Sequence, residues 1–166
     1  MKLLTKEADQ AGISRGLIFH YFPTKHDYYV AVLRGAADQL VEQTVTDSAG
    51  DVAERLAAGL RAYFRFVEER ALAYATLLRA GGGDPDIQEL VEATRRRFID
   101  SIRGHIAPLV VADAALLRAG LRSWIGLVEA LALDWIDHRD LTQEALVALA
   151  TRAFALVVPG GLGLAT

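Results

Sequence analysis

Apolar residues recur along most of this chain at steps of three and four, the spacing that lines one face of an α-helix. Tyr29, Val32, Leu33, Ala36, Ala37, Leu40 and Val41 share such a face, which predicts a helix over 25–46. Pro23 ends the segment before it and Thr24 is suited to cap it. Ser48-Ala49-Gly50 interrupts the pattern, and Asp51 opens a helix to about residue 69. A shorter helix over 71–79 stops at Ala80-Gly81-Gly82-Gly83, and Asp84-Pro85 starts another that reaches about residue 106. That helix puts Ile87, Leu90, Val91, Thr94, Phe98 and Ile102 on a common side. Two further helices, 112–137 and 142–157, are the richest in large apolar residues, and a glycine-rich tail, 159–166, is expected to be flexible. The fold class expected is all-α.

Residues 7–22 follow a different logic. They read as a helix, a glycine turn and a second short helix, with Ala8 where the helices cross, Gly12 at the turn, and Ile13, Ile18 and Tyr21 directed inward. Ser14 can cap the second helix and leave Arg15 at its start. The leading end of such a helix is the part that enters a DNA major groove.

The run Ala11-Gly12-Ile13-Ser14-Arg15-Gly16-Leu17-Ile18-Phe19-His20-Tyr21-Phe22-Pro23-Thr24-Lys25 resembles the DNA-binding segment of the tetracycline-repressor (TetR) family of transcriptional regulators. The resemblance implies a homodimer with a helix-turn-helix domain, here 1–34, and a ligand-binding and dimerisation domain, here 35–158. It further implies that Tyr21 and Lys25 touch DNA phosphates, while Ser14, Arg15, Gly16 and His20 face the groove or the backbone. The function expected is repression, relieved when a small-molecule effector enters the larger domain and the dimer leaves a pseudo-palindromic operator on double-stranded DNA. Members of the family carry one more helix ahead of this motif. The sequence begins only a few residues before Ala8 and has Glu7 where the family places a buried aliphatic residue, so weakened DNA binding is expected. An alternative follows from this: a ligand-binding and dimerisation module whose DNA reading is impaired.

The net charge of −3 argues against a nucleic-acid partner only until its distribution is considered. Residues 1–34 hold five basic and three acidic side chains, so the positive end sits on an acidic body. The absence of cysteine excludes disulfide scaffolds, thiolate metal sites and cysteine nucleophiles. The four histidines, His20, His26, His105 and His138, lack metal-binding spacing, so no metal is expected. No catalytic constellation or cofactor fingerprint stands out, and an enzyme and a bound cofactor are not expected. With no signal-peptide core and no apolar run of membrane-spanning length, a cytoplasmic location and no membrane partner are expected.

The last two helices are apolar over much of their circumference, which predicts cover from more than one side. A two-fold four-helix interface using Trp124, Leu127, Leu131, Trp135, Leu146, Leu149, Ala153 and Leu156 is expected to take up that surplus. Effector candidates inside the bundle are Tyr63, Phe66, Tyr74, Leu78, Phe98, Trp124, Val128 and Glu129. Glu129 is the sharpest, because a carboxylate amid Leu127, Val128, Ala130 and Leu131 needs water, a ligand or a partner, with Arg95 and Arg122 the plausible arginines. Arg95-Arg96-Arg97, set among Glu89, Glu92 and Asp100, reads as a salt-paired solvent face rather than a second phosphate patch.

Overall fold

The computed structural model describes residues 21–45, 51–80, 83–106 and 113–158. Among these residues there are six α-helices and no strand: α1 (Lys25–Thr44), α2 (Val52–Glu69), α3 (Ala71–Ala80), α4 (Pro85–Ile106), α5 (Ala114–His138) and α6 (Gln143–Val157). The helix starts follow the side chains that can accept from free amides. Asp51 and Glu54 form a reciprocal capping box at α2, with the Glu54 amide donating to Asp51 Oδ1 at 2.8 Å. Asp84 accepts from the Asp86 and Ile87 amides ahead of α4, where Pro85 takes the first helical position that needs no donor. Asp113 caps α5 and Thr142 caps α6 in the same way, so α5 opens just after its aspartate rather than at residue 112.

The chain divides into two compact units, Met1–Ala36 and Ala37–Thr166. In the first, the described residues begin at Tyr21. The Phe22 ring meets Tyr28 edge to face at 5.4 Å. Thr24 Oγ1 accepts from the Asp27 amide and Asp27 accepts in return from the Thr24 amide, a closed box at the start of α1. The Thr24 hydroxyl also donates to Asp27 Oδ2 at 2.7 Å, and this bond, together with that from the Thr24 amide, holds the Asp27 carboxyl below its ordinary value.

The second unit is a helical bundle. α2 and α5 pack on α6, α4 lies along α5, and α3 bridges α2, α4 and α5. Its centre is built from Phe64, Val67, Ile106, Leu121, Leu146 and Phe154, which are fully enclosed. Phe64 lies edge-on to Trp135 and Phe154 edge-on to Trp124. Trp124, Trp135 and Leu146, expected at a subunit interface, are thus enclosed by their own chain. Each indole nitrogen donates to an intrachain carbonyl at 2.8 Å, Trp124 to Ala150 and Trp135 to Leu141. Of the other expected interface residues, Leu127, Leu131 and Ala153 are half-buried, while Leu149 and Leu156 are 47% and 86% exposed. α5 ends at Arg139, whose left-handed backbone (φ 54°) turns the chain toward α6; its guanidinium lies over the Trp135 ring at 4.6 Å.

Candidate functional site

Two sets of side chains can carry function, one in each unit. In the first unit, Tyr21 is 70% exposed and Lys25 is exposed at the first position of α1, both able to meet a polyanion. Ser14, Arg15, Gly16 and His20 lie outside the described residues, as do the glycine turn and the glycine-rich tail.

In the second unit, the helices bring Tyr63 of α2, Tyr74 of α3 and Phe98 of α4 into one buried aromatic cluster. The Tyr63 ring stands edge-on to Tyr74 at 6.0 Å and to Phe98 at 6.4 Å, and the two tyrosine hydroxyls are hydrogen-bonded directly to each other. Burial pushes both phenols well above their ordinary range, and the nearby Glu129 charge pushes in the same direction. Both therefore remain neutral donors and acceptors at physiological pH. One hydrogen bond between two hydroxyls uses only one of their two protons, so the pair retains donor capacity.

Beside the phenols lies a chain of charge between α4 and α5. Arg95 grips Glu129 with Nε (2.8 Å to Oε1) and Nη2 (2.6 Å to Oε2), a two-pronged contact whose side chains are only 21% and 15% exposed. Arg95 Nη1 also donates to Glu92 Oε1, which accepts from Arg122 Nη2 at 3.1 Å. Hydrogen bonding to Glu129 raises the already high Arg95 value against the pull of burial. Burial works to raise the Glu92 carboxyl, yet Arg95 and Arg122 outweigh it and hold the group below its ordinary value. Of the two arginines considered for Glu129, Arg95 is the partner; Arg122 pairs instead with Glu92, which it shares with Arg95.

The arginine run is paired, though not solely along its own helix. Arg96 meets Glu89 on the solvent side, Arg97 reaches Asp38 of α1, and Arg95 turns inward. The remaining effector candidates stand elsewhere: the Phe66 ring lies under the Arg70 guanidinium at 4.4 Å, and Trp124 is occupied by Phe154 and the Ala150 carbonyl. Val128 is buried in the core and Leu78 half-buried on α3. Sequence reasoning missed Glu92 as the link between two arginines. Its position one turn before Arg95, at i−3, was the available signal.

Comparison with known proteins specifies what kind of domain this helical bundle is. The family model for the tetracyclin repressor-like C-terminal domain matches residues 52–157, well over half of the chain. The chain belongs to the TetR family of transcriptional regulators. The crystal structure of a TetR-family transcriptional regulator from Streptomyces coelicolor is 35% identical, with a TM-score of 0.79 over 90% of this chain and 68% of that one. A TetR regulator from Rhodococcus sp. RHA1, 20% identical with a TM-score of 0.61 over 92% and 82% of the two chains, shares the fold. The HTH-type transcriptional activator FasR of Mycolicibacterium smegmatis is 34% identical over 73 residues, which is 40% of this chain and 32% of FasR. The match thus spans about a third of the length of that curated relative. No described helix is long and apolar enough to cross a membrane.

Proposed function

We propose that this protein is a dimeric, DNA-binding transcriptional regulator that leaves its operator when a small molecule enters the bundle between α2, α3, α4 and α5. The observation that carries the reading is the Arg95–Glu129 pair, close enough to two buried phenols for its charges to act on them, inside a domain of this family. Tyr63, Tyr74, Phe98 and Glu129 line the effector site, with Arg95 as the group that an effector must displace or join.

On the DNA side, Arg15 with Ser14, Gly16 and His20 reads or brackets the bases, and Tyr21 and Lys25 fix register on phosphates. Leu127, Leu131, Leu149, Ala153 and Leu156 form the two-fold contact. α1 continues from the first unit into the second, so its tilt can turn effector binding into a change in the spacing of two reading heads. Repression follows where the operator overlaps a promoter. FasR is named an activator, so the same architecture serves either sense according to where the operator lies.

Gel-shift titrations on duplexes from the region upstream of the gene test this. Arg15→Ala is expected to relax base preference, whereas Lys25→Ala weakens all duplexes alike and lowers the salt slope by about one. Wild-type affinity and preference in both variants would overturn the assignment of the reading helix.

A further inference from the structure

Resting on the reading of the bundle as an effector-binding domain, we infer that the effector is an organic cation on an apolar body, received by Glu129 as it releases Arg95. The argument starts from an asymmetry in the charge chain. Arg95 has two carboxylate partners, Glu129 and Glu92, while the partner of Glu129 among the described contacts is Arg95 alone. If an incoming cation takes Glu129, Arg95 keeps Glu92. Both arginines that reach Glu92 use its Oε1, so Oε2 stands ready to accept the donors that Arg95 withdraws. No charged group is then stranded.

An anion produces the opposite outcome. To take the Arg95 fork it must evict Glu129, whose side chain is 15% exposed, and leave that carboxylate beside the buried tyrosine pair without a counter-charge. Stranding a buried charge is among the most costly changes a protein interior can undergo. The neighbouring surfaces favour the same sign. Tyr63 and Tyr74 lie close enough to Glu129 to feel its charge, Phe98 packs edge-on against Tyr63, and the domain already sets guanidinium groups over Phe66 and Trp135. The apolar body is called for by the carbon surfaces of the same three rings, which offer dispersion to a ligand.

The test is calorimetric titration of the intact protein with three probes of similar shape: benzyltrimethylammonium, its uncharged carbon analogue neopentylbenzene, and phenylacetate. The ammonium is expected to bind at least about tenfold more tightly than the carboxylate, and Glu129→Gln to cost it about tenfold while leaving the uncharged probe unaffected. Arg95→Gln removes the competitor and is expected to tighten ammonium binding, whereas an anion site would lose its ligand. Far-UV circular dichroism checks that each variant is folded, and if Arg95→Gln is not, Glu129→Gln carries the test alone. Preference for phenylacetate, an ammonium affinity indifferent to Glu129→Gln, or binding of none of the probes overturns the inference. Release of operator by a small-molecule extract of the cell then decides separately whether the effector reading stands.

Discussion

The two units of this chain put similar side chains to opposite use. In the described part of the first, tyrosines and a lysine remain in water: Tyr21 and Tyr29 are exposed, Val32 is half out, and Lys25 stands at the helix start. In the second, tyrosines are driven so far inward that their hydroxyls have to satisfy each other. Exposed aromatic and basic groups cost little to keep in water. Buried polar groups have to be balanced internally, so each one restricts what can join it. The first unit is therefore best understood through its surface chemistry and the second through its internal accounting of donors, acceptors and charge.

Mutations should separate these regimes by size of effect. Phe64 is fully enclosed and touches Tyr63 and Trp135 edge-on, so Phe64→Ala is expected to cost roughly 3–5 kcal/mol in urea denaturation. Glu129→Ala is expected to cost less, about 1–2 kcal/mol, because Arg95 retains Glu92 and is not left bare. A loss as large as that of Phe64→Ala would mean that Glu92 does not act as the second partner.

Asp51→Ala removes the capping box of α2 and should cost about 1 kcal/mol, read from the same denaturation curves. Leu156→Asp should alter the stability of the chain itself by no more than about 0.5 kcal/mol, yet shift the protein toward monomer in sedimentation velocity. An unchanged dimer would remove Leu156 from the two-fold contact. Smallest of all is the Asp27 box at α1. Its lowered carboxyl value means that its contribution is complete above the ordinary aspartate range and is lost as pH falls through the lowered value, visible as a slight acid-side loss of helix that Asp27→Asn abolishes.

Much of this architecture was legible before any coordinates, and what was legible has a common cause. Helix starts depend on residues adjacent in sequence, so Asp51 announced α2, Asp84 with Pro85 announced α4, and the start of α6 was placed at its cap Thr142, whereas α5 was expected from residue 112 and the cap at Asp113 was not read. The need of Glu129 for a partner followed from its apolar neighbours, and Arg95 was one of two arginines within reach. The hydroxyl contact of Tyr63 and Tyr74 was not legible, because it depends on how α2 and α3 dock rather than on spacing within either. The same holds for Arg97 and Asp38, 59 residues apart. Trp124 and Trp135 show the limit most plainly. Helical spacing says that a face must be covered, but it does not say whether the cover comes from the same chain, and here Phe154, Phe64 and two backbone carbonyls supply it.

The central claim, a dimer that reads one operator, is tested most directly by sedimentation velocity of the protein with a labelled duplex from its upstream region, detected separately at protein and dye wavelengths. The account predicts a complex with two protein chains per duplex that does not form on a scrambled duplex at the same salt concentration. A single chain per duplex, or equal binding to both duplexes, would contradict it.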